Sequence, residues 1–188
     1  MEEAKKVKTK VRNARLEDLA EVAEMAVEFA MLQVAHGDKL FSDNPEVLKG
    51  GFMIELGLSF NSPRTKILVA EKGGKLLGFM LATLEDCGPT EKHLRCVRVR
   101  GDYIRKVVDS LRRPLILLTM WEQVRKWGLS LGAGYFFSLI HPGNSASIRV
   151  AKRVGFKHNM TQFALFVEDP KDGRPEQQRT DQHDQPVV

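Results

Sequence analysis

Apolar residues recur through the first part of the chain with a helical period. In "ARLEDLAEVAEMAVEFAMLQVA" the residues Leu16, Leu19, Val22, Ala23, Ala26, Phe29 and Ala30 share one side of a 3.6-residue repeat. Glu17 and Asp18 fall in the first turn, where a helix dipole is positive. The pattern predicts an amphipathic helix, preceded by a short β-branched strand at Val7–Asn13. Asn44 then Pro45 reads as an N-cap followed by a proline at the first helical position, so a second helix is predicted over Pro45–Ser59, weakened by Gly50 and Gly51. The period then shortens to that of strands. "TKILVAEKGGKLLGFMLATLE" sets two apolar runs around Lys72–Lys75, where Gly73 and Gly74 supply the positive φ of a tight turn, and predicts a β-hairpin.

The second half alternates strand and helix. "HLRCVRVRGDYIRKVVD" predicts one or two strands interrupted at Gly101, with Val97 and Val99 on one face and Arg98 and Arg100 on the other. "DSLRRPLILLTMWEQVRKWG" predicts a helix with Leu117, Trp121 and Val124 in one row, ending near Gly128 or Gly132. "GYFFSLI" predicts a buried strand, "HPGN" a turn, "SASIRVAKRV" a short helix closed by Gly155, and "TQFALFVE" a last strand. From Asp169 onward the chain has almost no core-forming residue and predicts a disordered tail. Strand, helix, helix, strand, strand, strand, helix, strand, helix, strand is the order of a single mixed α/β domain, antiparallel in its first half with a crossover helix in its second.

Composition narrows this picture. The 188 residues are 43% hydrophobic and 28% charged, a balance that fits one domain with a sizeable core. The longest apolar runs, such as "PLILLTMW", are too short to cross a bilayer, and "MEEAKKVKTK" is not followed by the apolar stretch of a secretory signal, so the expected location is cytoplasmic. Cys87 and Cys96 have no metal-ligand spacing and read as free thiols, a disulfide being disfavoured in a reducing compartment. The net charge is +5, and the excess concentrates between Lys92 and Arg113. A polyanionic ligand or a solvated strand face would each account for it.

"GAGYFFSLIHPGNSASIRVAKRVGF" resembles the GNAT superfamily of N-acyltransferases, in the turn asparagine Asn144, the pair Ser147–Ile148 and the closing Gly155–Phe156. "VRNARLEDLAEVAEM" resembles the family's first strand and helix, and "ILVAEKGGKLLGFMLA" its second and third strands. The resemblance spans Val7 to Val167 and implies a GNAT-like domain over residues 1–168 with a polar tail at 169–188. It implies a mixed, mostly antiparallel sheet flanked by helices, acetyl-CoA as co-substrate and an amine acceptor that the sequence does not name. The family's pyrophosphate loop, an arginine or glutamine followed by two spaced glycines, falls on Arg112 to Leu117. The resemblance therefore assigns the coenzyme to Arg112, Arg113, Leu115, Ile116 and Leu117, with Val107 before them and Asn144 beyond. Both loop glycines are leucines here, Leu115 and Leu117; divergent members, including ones encoded by tailed phages, look similar. Leucine side chains crowd an approach that glycine leaves open, and Pro114 has no N–H to offer.

The same resemblance implies a fourth strand at about Asp102–Val108, with a bulge that turns an N–H toward the acyl group. It also puts Ala151 where many members have a tyrosine acid. Asp102, at the strand's start, is a candidate general base, its alternative being a surface carboxylate paired with an arginine. His141 has a suitable intrinsic pKa and is the second candidate, its alternative being an ordinary turn residue. Asn144 holds the coenzyme's pantetheine or caps a helix. Tyr103 and Tyr135 are the only tyrosines, each a replacement acid or a strand residue. The acceptor side is expected over His36–Pro63. Two readings of function follow from the resemblance: an acetyl-CoA-dependent N-acetyltransferase, and a GNAT-fold binding or structural protein without catalysis. Nucleic-acid binding through Lys92–Arg113 is disfavoured, because Tyr103 is the only aromatic in that run on which a base could stack.

Overall fold

A computed structural model describes residues 8–88 and 95–158, all within the compact unit Met1–His158. Its elements are β1 (Lys10–Asn13), α1 (Leu19–Ala35), α2 (Pro45–Phe60), β2 (Thr65–Lys72), β3 (Lys75–Asp86), β4 (Arg95–Ile104), α3 (Arg113–Ser130), β5 (Tyr135–Ser138) and α4 (Ser145–Val154). The strands form one sheet in chain order, antiparallel from β1 to β4 and parallel between β4 and β5. A parallel pair cannot be joined by a tight turn, and α3 supplies the crossover. The predicted mixed α/β class and mostly antiparallel sheet are what is found. The predicted strand at 161–168, the boundary at 168/169 and the tail lie outside the described residues.

Each face of the sheet carries its own core. On one side Val22, Met25, Ala26 and Leu56 of α1 and α2 cover Val69, Phe79 and Leu81. On the other, Ile116, Met120, Trp121 and Val124 of α3 cover Leu68, Met80, Val97 and Val99. A sheet buried on both faces explains why "KILVA" and "GFMLATL" read as near-continuous apolar runs rather than as clean alternation. α3 lies so close to the sheet that a Cβ at Gly128 would come within 2.7 Å of Val97 Cγ2 and 2.8 Å of the Phe136 ring.

Two expectations need correction. Leu16 is 70% exposed and takes no part in the core. The segment Leu16–Asp18 is a single 3-10 turn, held by the Asp18 carboxylate accepting from the Arg15 N–H at 2.6 Å, and this tighter winding turns Leu16 outward. The fourth strand is Arg95–Ile104 rather than Asp102–Val108: one strand runs straight through Gly101, and Lys106 and Val107 form a turn beyond its end.

The start of α1 is pinned by charge. Arg12 donates to Asp18 at 2.6 and 3.0 Å and to Glu71 at 2.6 Å, joining β1, β2 and the entry to α1. The Arg12 hydrogen bond holds the Asp18 carboxyl below the ordinary aspartate range. A carboxyl depressed on folding contributes stability above its unfolded pKa of ~3.9, and that contribution is lost as pH falls through the folded value. Removing Arg12 leaves Asp18, 7% exposed, with a buried and uncompensated charge. Arg12→Met is expected to cost about 3 kcal/mol in denaturant melts at pH 7, a gap that narrows in melts at pH 3 as Asp18 is protonated. An equal loss at both pH values would contradict this account.

Candidate active site at the fork of the sheet

The sheet opens between β4 and β5. Their pairing runs from Cys96 opposite Tyr135 to Val99 opposite Ser138 and then stops, while β4 continues along β3 to Ile104. At that point β4 bulges. Leu81 faces Gly101 and Ala82 faces Val99, so Arg100 is the extra residue. Beyond Val99 the edge of β4 away from β3 has no strand partner among the described residues. Its backbone donors and acceptors there are open to a ligand.

The bulge also decides which way each side chain points. Directly opposed residues of an antiparallel pair share a face. Asp102 opposes Met80 and so joins the α3 side, where Val97 and Val99 lie, whereas Tyr103 opposes Phe79 on the α1 side. Plain alternation along the strand would have placed Tyr103, not Asp102, with the valines. Arg100, on the bulge itself, pairs with Glu55 of α2 at 2.8 Å.

Two pockets border this stretch of β4. The smaller, about 20 Å³, lies in the fork and is lined by Gln33 of α1, Asp102, Ser138 of β5, and Asn144 and Ser147 at the start of α4, among others. The larger, about 530 Å³, lies between the second half of α1 and the end of β4, lined by Glu28, Met31, Leu32, Tyr103, Lys106 and Val107 together with Ala35 and Arg105. Its size is that of a small-molecule site.

Asp102 has no cationic partner among the described residues, so it is not the arginine-paired surface carboxylate of the alternative reading. It keeps some accessible surface, yet the protein packed around it pushes its carboxyl up to about 6 by desolvation. His141 is placed differently. Its Nδ1 accepts from the Gly143 N–H at 3.1 Å, which ties the ring into the turn, and it is not among the residues lining the fork. Asn144 lines the fork and also caps α4: it is 7% exposed and its Oδ1 accepts from the Ser147 N–H at 3.1 Å. Of the two tyrosines, Tyr135 is partly exposed and stacks on Phe137, while burial and the Glu28 carboxylate raise the Tyr103 hydroxyl above its usual range.

The start of α3 does not resemble an open anion cradle. The Asp109 carbonyl accepts from the N–H groups of Arg112 and Arg113 at 2.9 and 3.1 Å, and its carboxylate accepts from the Leu111 N–H at 2.7 Å. The Ile116 N–H bonds to the Arg112 carbonyl. Among the amides from Leu111 to Ile116, only that of Leu115 lacks an acceptor among the described residues, Pro114 having none to offer. The side chains are similarly committed. Arg113 donates to the carbonyls of Val108 at 2.8 Å and Lys106 at 3.4 Å. Ile116 is buried and Leu117 packs against the α3-side core. Leu115 is 57% exposed and borders neither pocket. Arg112 is exposed and, among the described residues, has no ion-pair partner.

Three arginines of the basic run are paired with carboxylates within the fold. Arg105 bonds Glu21 and Glu28 at 2.5 and 3.1 Å, Arg100 bonds Glu55, Arg95 lies 3.8 Å from Asp86, and Arg98 sits over the Phe137 ring. Arg98 and Arg113 have no acidic partner either, and Lys106 and Arg112, on either side of the turn before α3, are the members whose side chains have no partner of any kind among the described residues. No group of histidine, cysteine, aspartate and glutamate among the described residues is arranged to hold a metal ion, and no described helix is long and apolar enough to cross a membrane.

Sequence reasoning missed Gln33. It is 5% exposed and its side-chain amide has no hydrogen-bond partner among the described residues. The signal was there: Gln33 extends the stripe of Ala26, Phe29 and Ala30, so a polar residue occupies a core-facing position.

No family model and no curated protein sequence matches the chain. Solved structures do match in shape. An aminoglycoside N-acetyltransferase, AAC(6')-Iy, in complex with CoA superposes with a TM-score of 0.64 at 14% identity, covering 89% of this chain and 98% of its own. A "predicted acetyltransferase with acetyl-CoA from Clostridium acetobutylicum" gives 0.60 at 16% identity, covering 85% of this chain and 96% of its own. A transcriptional regulator from Bacillus halodurans gives 0.65 at 12% identity, over 85% and 100%. Identities this low carry the fold and leave the activity open. The five-stranded, mostly antiparallel sheet with its flanking helices is the GNAT acetyltransferase fold.

Proposed function

We propose that this chain is an acyl-CoA-dependent N-acyltransferase, with acetyl-CoA as donor and an amine as acceptor. The observation that carries the reading is the fork. A bulged β4, whose edge has no strand partner among the described residues, stands beside a half-buried carboxyl, Asp102, that has no cationic partner among them. A neutral amine is the nucleophile, and an ordinary alkyl ammonium has a pKa near ~10.4, so a base must remove a proton at physiological pH. A carboxyl titrating about 6 is ionised at pH 7 and more basic than a solvated aspartate.

The donor's pantetheine arm takes the unpaired β4 edge, and the pocket rimmed by Val107 and Lys106 receives it. Backbone N–H groups at the bulge polarise the thioester carbonyl. The amine nitrogen attacks the carbonyl carbon, its proton passes to Asp102, and the C–N bond forms as the C–S bond breaks. The departing thiolate takes a proton, for which Tyr103, kept protonated beside Glu28, is the candidate donor in place of the alanine at 151. Because the amides opening α3 are mostly engaged, the diphosphate depends on Lys106 and Arg112 rather than on a cradle of N–H groups. His141 is assigned to the turn. The leucines at 115 and 117 support the reading of a divergent member, similar to ones encoded by tailed phages.

Calorimetry with acetyl-CoA tests this directly. Binding is expected, and Arg112→Ala is expected to weaken it about tenfold by removing one charge-assisted phosphate contact. Failure to bind at millimolar ligand eliminates the donor and with it the transferase. One observation favours a second reading: the Asp109 carboxylate sits on the Leu111 amide where an incoming phosphate would look for donors. A GNAT-fold protein without catalysis accounts for that. It predicts acetyl-CoA binding without release of free thiol to a thiol-reactive dye in the presence of an amine panel.

A further inference from the structure

The turn between β4 and α3 carries a surface that the fold leaves uncovered. Arg113 donates to the carbonyls of Val108 at 2.8 Å and Lys106 at 3.4 Å, which folds the turn back against the start of α3. Along this stretch Val107 is 78% exposed and Leu111 81%, and Leu115 is exposed beside them. Single exposed aliphatics are ordinary, but three large ones within nine consecutive residues form a patch. Two cations lie among them: the side chains of Lys106 and Arg112 have no partner of any kind among the described residues. The one carboxylate of the stretch, Asp109, is engaged with the Leu111 N–H at 2.7 Å. With Arg113 also positive, the patch is cationic as well as apolar.

We propose that this turn is a peripheral contact with an anionic lipid bilayer, in which Leu111 and Leu115, with Val107, enter the acyl boundary while Lys106 and Arg112 take lipid phosphates. Apolar side chains can sit below the phosphate layer while lysine and arginine, on long apolar stems, hold their charges at its level. Charge decides the occupant. An uncharged protein face would leave both cations unmatched, and a nucleic acid would leave the aliphatics in water. The other apolar surface shows the contrast. α2 also exposes Val47, Ile54 and Leu58, but its single lysine, Lys49, is paired with Glu24 at 3.4 Å. No described helix is long and apolar enough to cross a membrane, so the contact proposed is with the bilayer surface.

The inference goes beyond the transferase reading and does not rest on it. Both use Lys106 and Arg112, because a lipid phosphate and a coenzyme diphosphate present the same chemistry to a cation. The aliphatics tell the two apart. Leu111 and Leu115 border neither pocket, so a bound donor leaves them unexplained. Each cation near an anionic surface strengthens attachment about fivefold, and the pair together about thirtyfold.

The experiment is co-sedimentation of the full chain with vesicles of phosphatidylcholine, with and without a third of phosphatidylglycerol, in the absence of acetyl-CoA. Attachment to the anionic vesicles is expected, about thirtyfold weaker on the neutral ones and weakened by salt. Leu111→Gln should lower it about tenfold by removing one inserted aliphatic. Leu58→Gln, on α2 and equally exposed at 81%, should leave it unchanged. Both side chains are at the surface, so neither variant puts folding at risk. No attachment, equal attachment to the two vesicles, or an equal loss in both variants overturns the proposal. Attachment that survives Leu111→Gln also overturns it, since the cations alone would then hold any acidic surface, an acidic protein included. Calorimetry with acetyl-CoA separates the two readings. Vesicle attachment by a chain that does not bind acetyl-CoA keeps the membrane contact and removes the transferase; acetyl-CoA binding without vesicle attachment does the reverse.

Discussion

Asp102→Asn is expected to lower kcat by about 10²- to 10³-fold, the usual contribution of a positioned general base, while leaving the KM for acetyl-CoA within twofold of the parent. The parent's kcat/KM should fall about tenfold per pH unit below about pH 6, where burial sets the carboxyl, and that limb should vanish in the variant. The same substitution has an opposite effect on stability. An aspartate raised on folding from ~3.9 in the unfolded chain carries no penalty while protonated in both states. The penalty grows as pH rises from ~4 through the folded value and is complete above it. Asparagine never ionises, so the variant should equal the parent in stability below pH 4 and exceed it at pH 8, by up to about 3 kcal/mol for a shift of this size. An inactive but more stable protein is a signature that misfolding does not imitate. Turnover within threefold of the parent would remove Asp102 from the mechanism.

Gly78→Ala should produce the largest loss of stability of any single methyl added to this sheet. Gly78 lies in β3 opposite Ile104, the last residue of β4. A Cβ there would run into the Tyr103 carbonyl oxygen and the Ile104 side chain, and come within 3.0 Å of the Ile104 Cα. The Ile104 side chain has rotamers to try, but the carbonyl and the Cα are backbone. The strand itself has to move, at a cost of about 3 kcal/mol or more. For a domain of this size that is a fall of about 10 °C in Tm. Gly50→Ala is the control: nothing lies within 4 Å of a Cβ there, and alanine in the middle of α2 should raise stability by up to about 1 kcal/mol. Because the displaced residues are the end of β4, a folded fraction of Gly78→Ala should also bind acetyl-CoA more weakly. A Tm within 2 °C of the parent would show that the strands have room the geometry denies.

Both predictions depend on the bulge at Arg100, and the sequence could not have located it. The elements themselves were legible. The stripe from Leu19 to Ala30, the cap at Asn44–Pro45, the turn at Gly73–Gly74 and the cap at Asn144 are local signals, written in neighbouring residues, and each element formed where they stood. The resemblance in "HPGNSASIRVAKRVGF" likewise pointed to the fold that shape comparison finds. What failed were readings that needed a partner. The end of β4 was placed too late, because a strand ends where its neighbour's pairing ends and not where β-branched residues do. Leu16 was put in the core because periodicity does not register a 3-10 turn closed by Asp18. The leucines at 115 and 117 and the arginine at 113 looked like parts of one anion loop. Folding gives them separate tasks: one exposed, one packed on the core, one tied to two carbonyls.

The sequence by itself determined where most of the described helices and strands form and the chemical types available at the fork. Tertiary structure alone decided that one extra residue in β4 turns Asp102 to the α3 side, that no cation among the described residues pairs with it there, and that Gln33, sixty-nine positions earlier, lines the same cavity. The physical reason is one of range. Capping, turn geometry and amphipathic period act over a few residues, whereas desolvation and strand register are set by what the rest of the chain brings alongside.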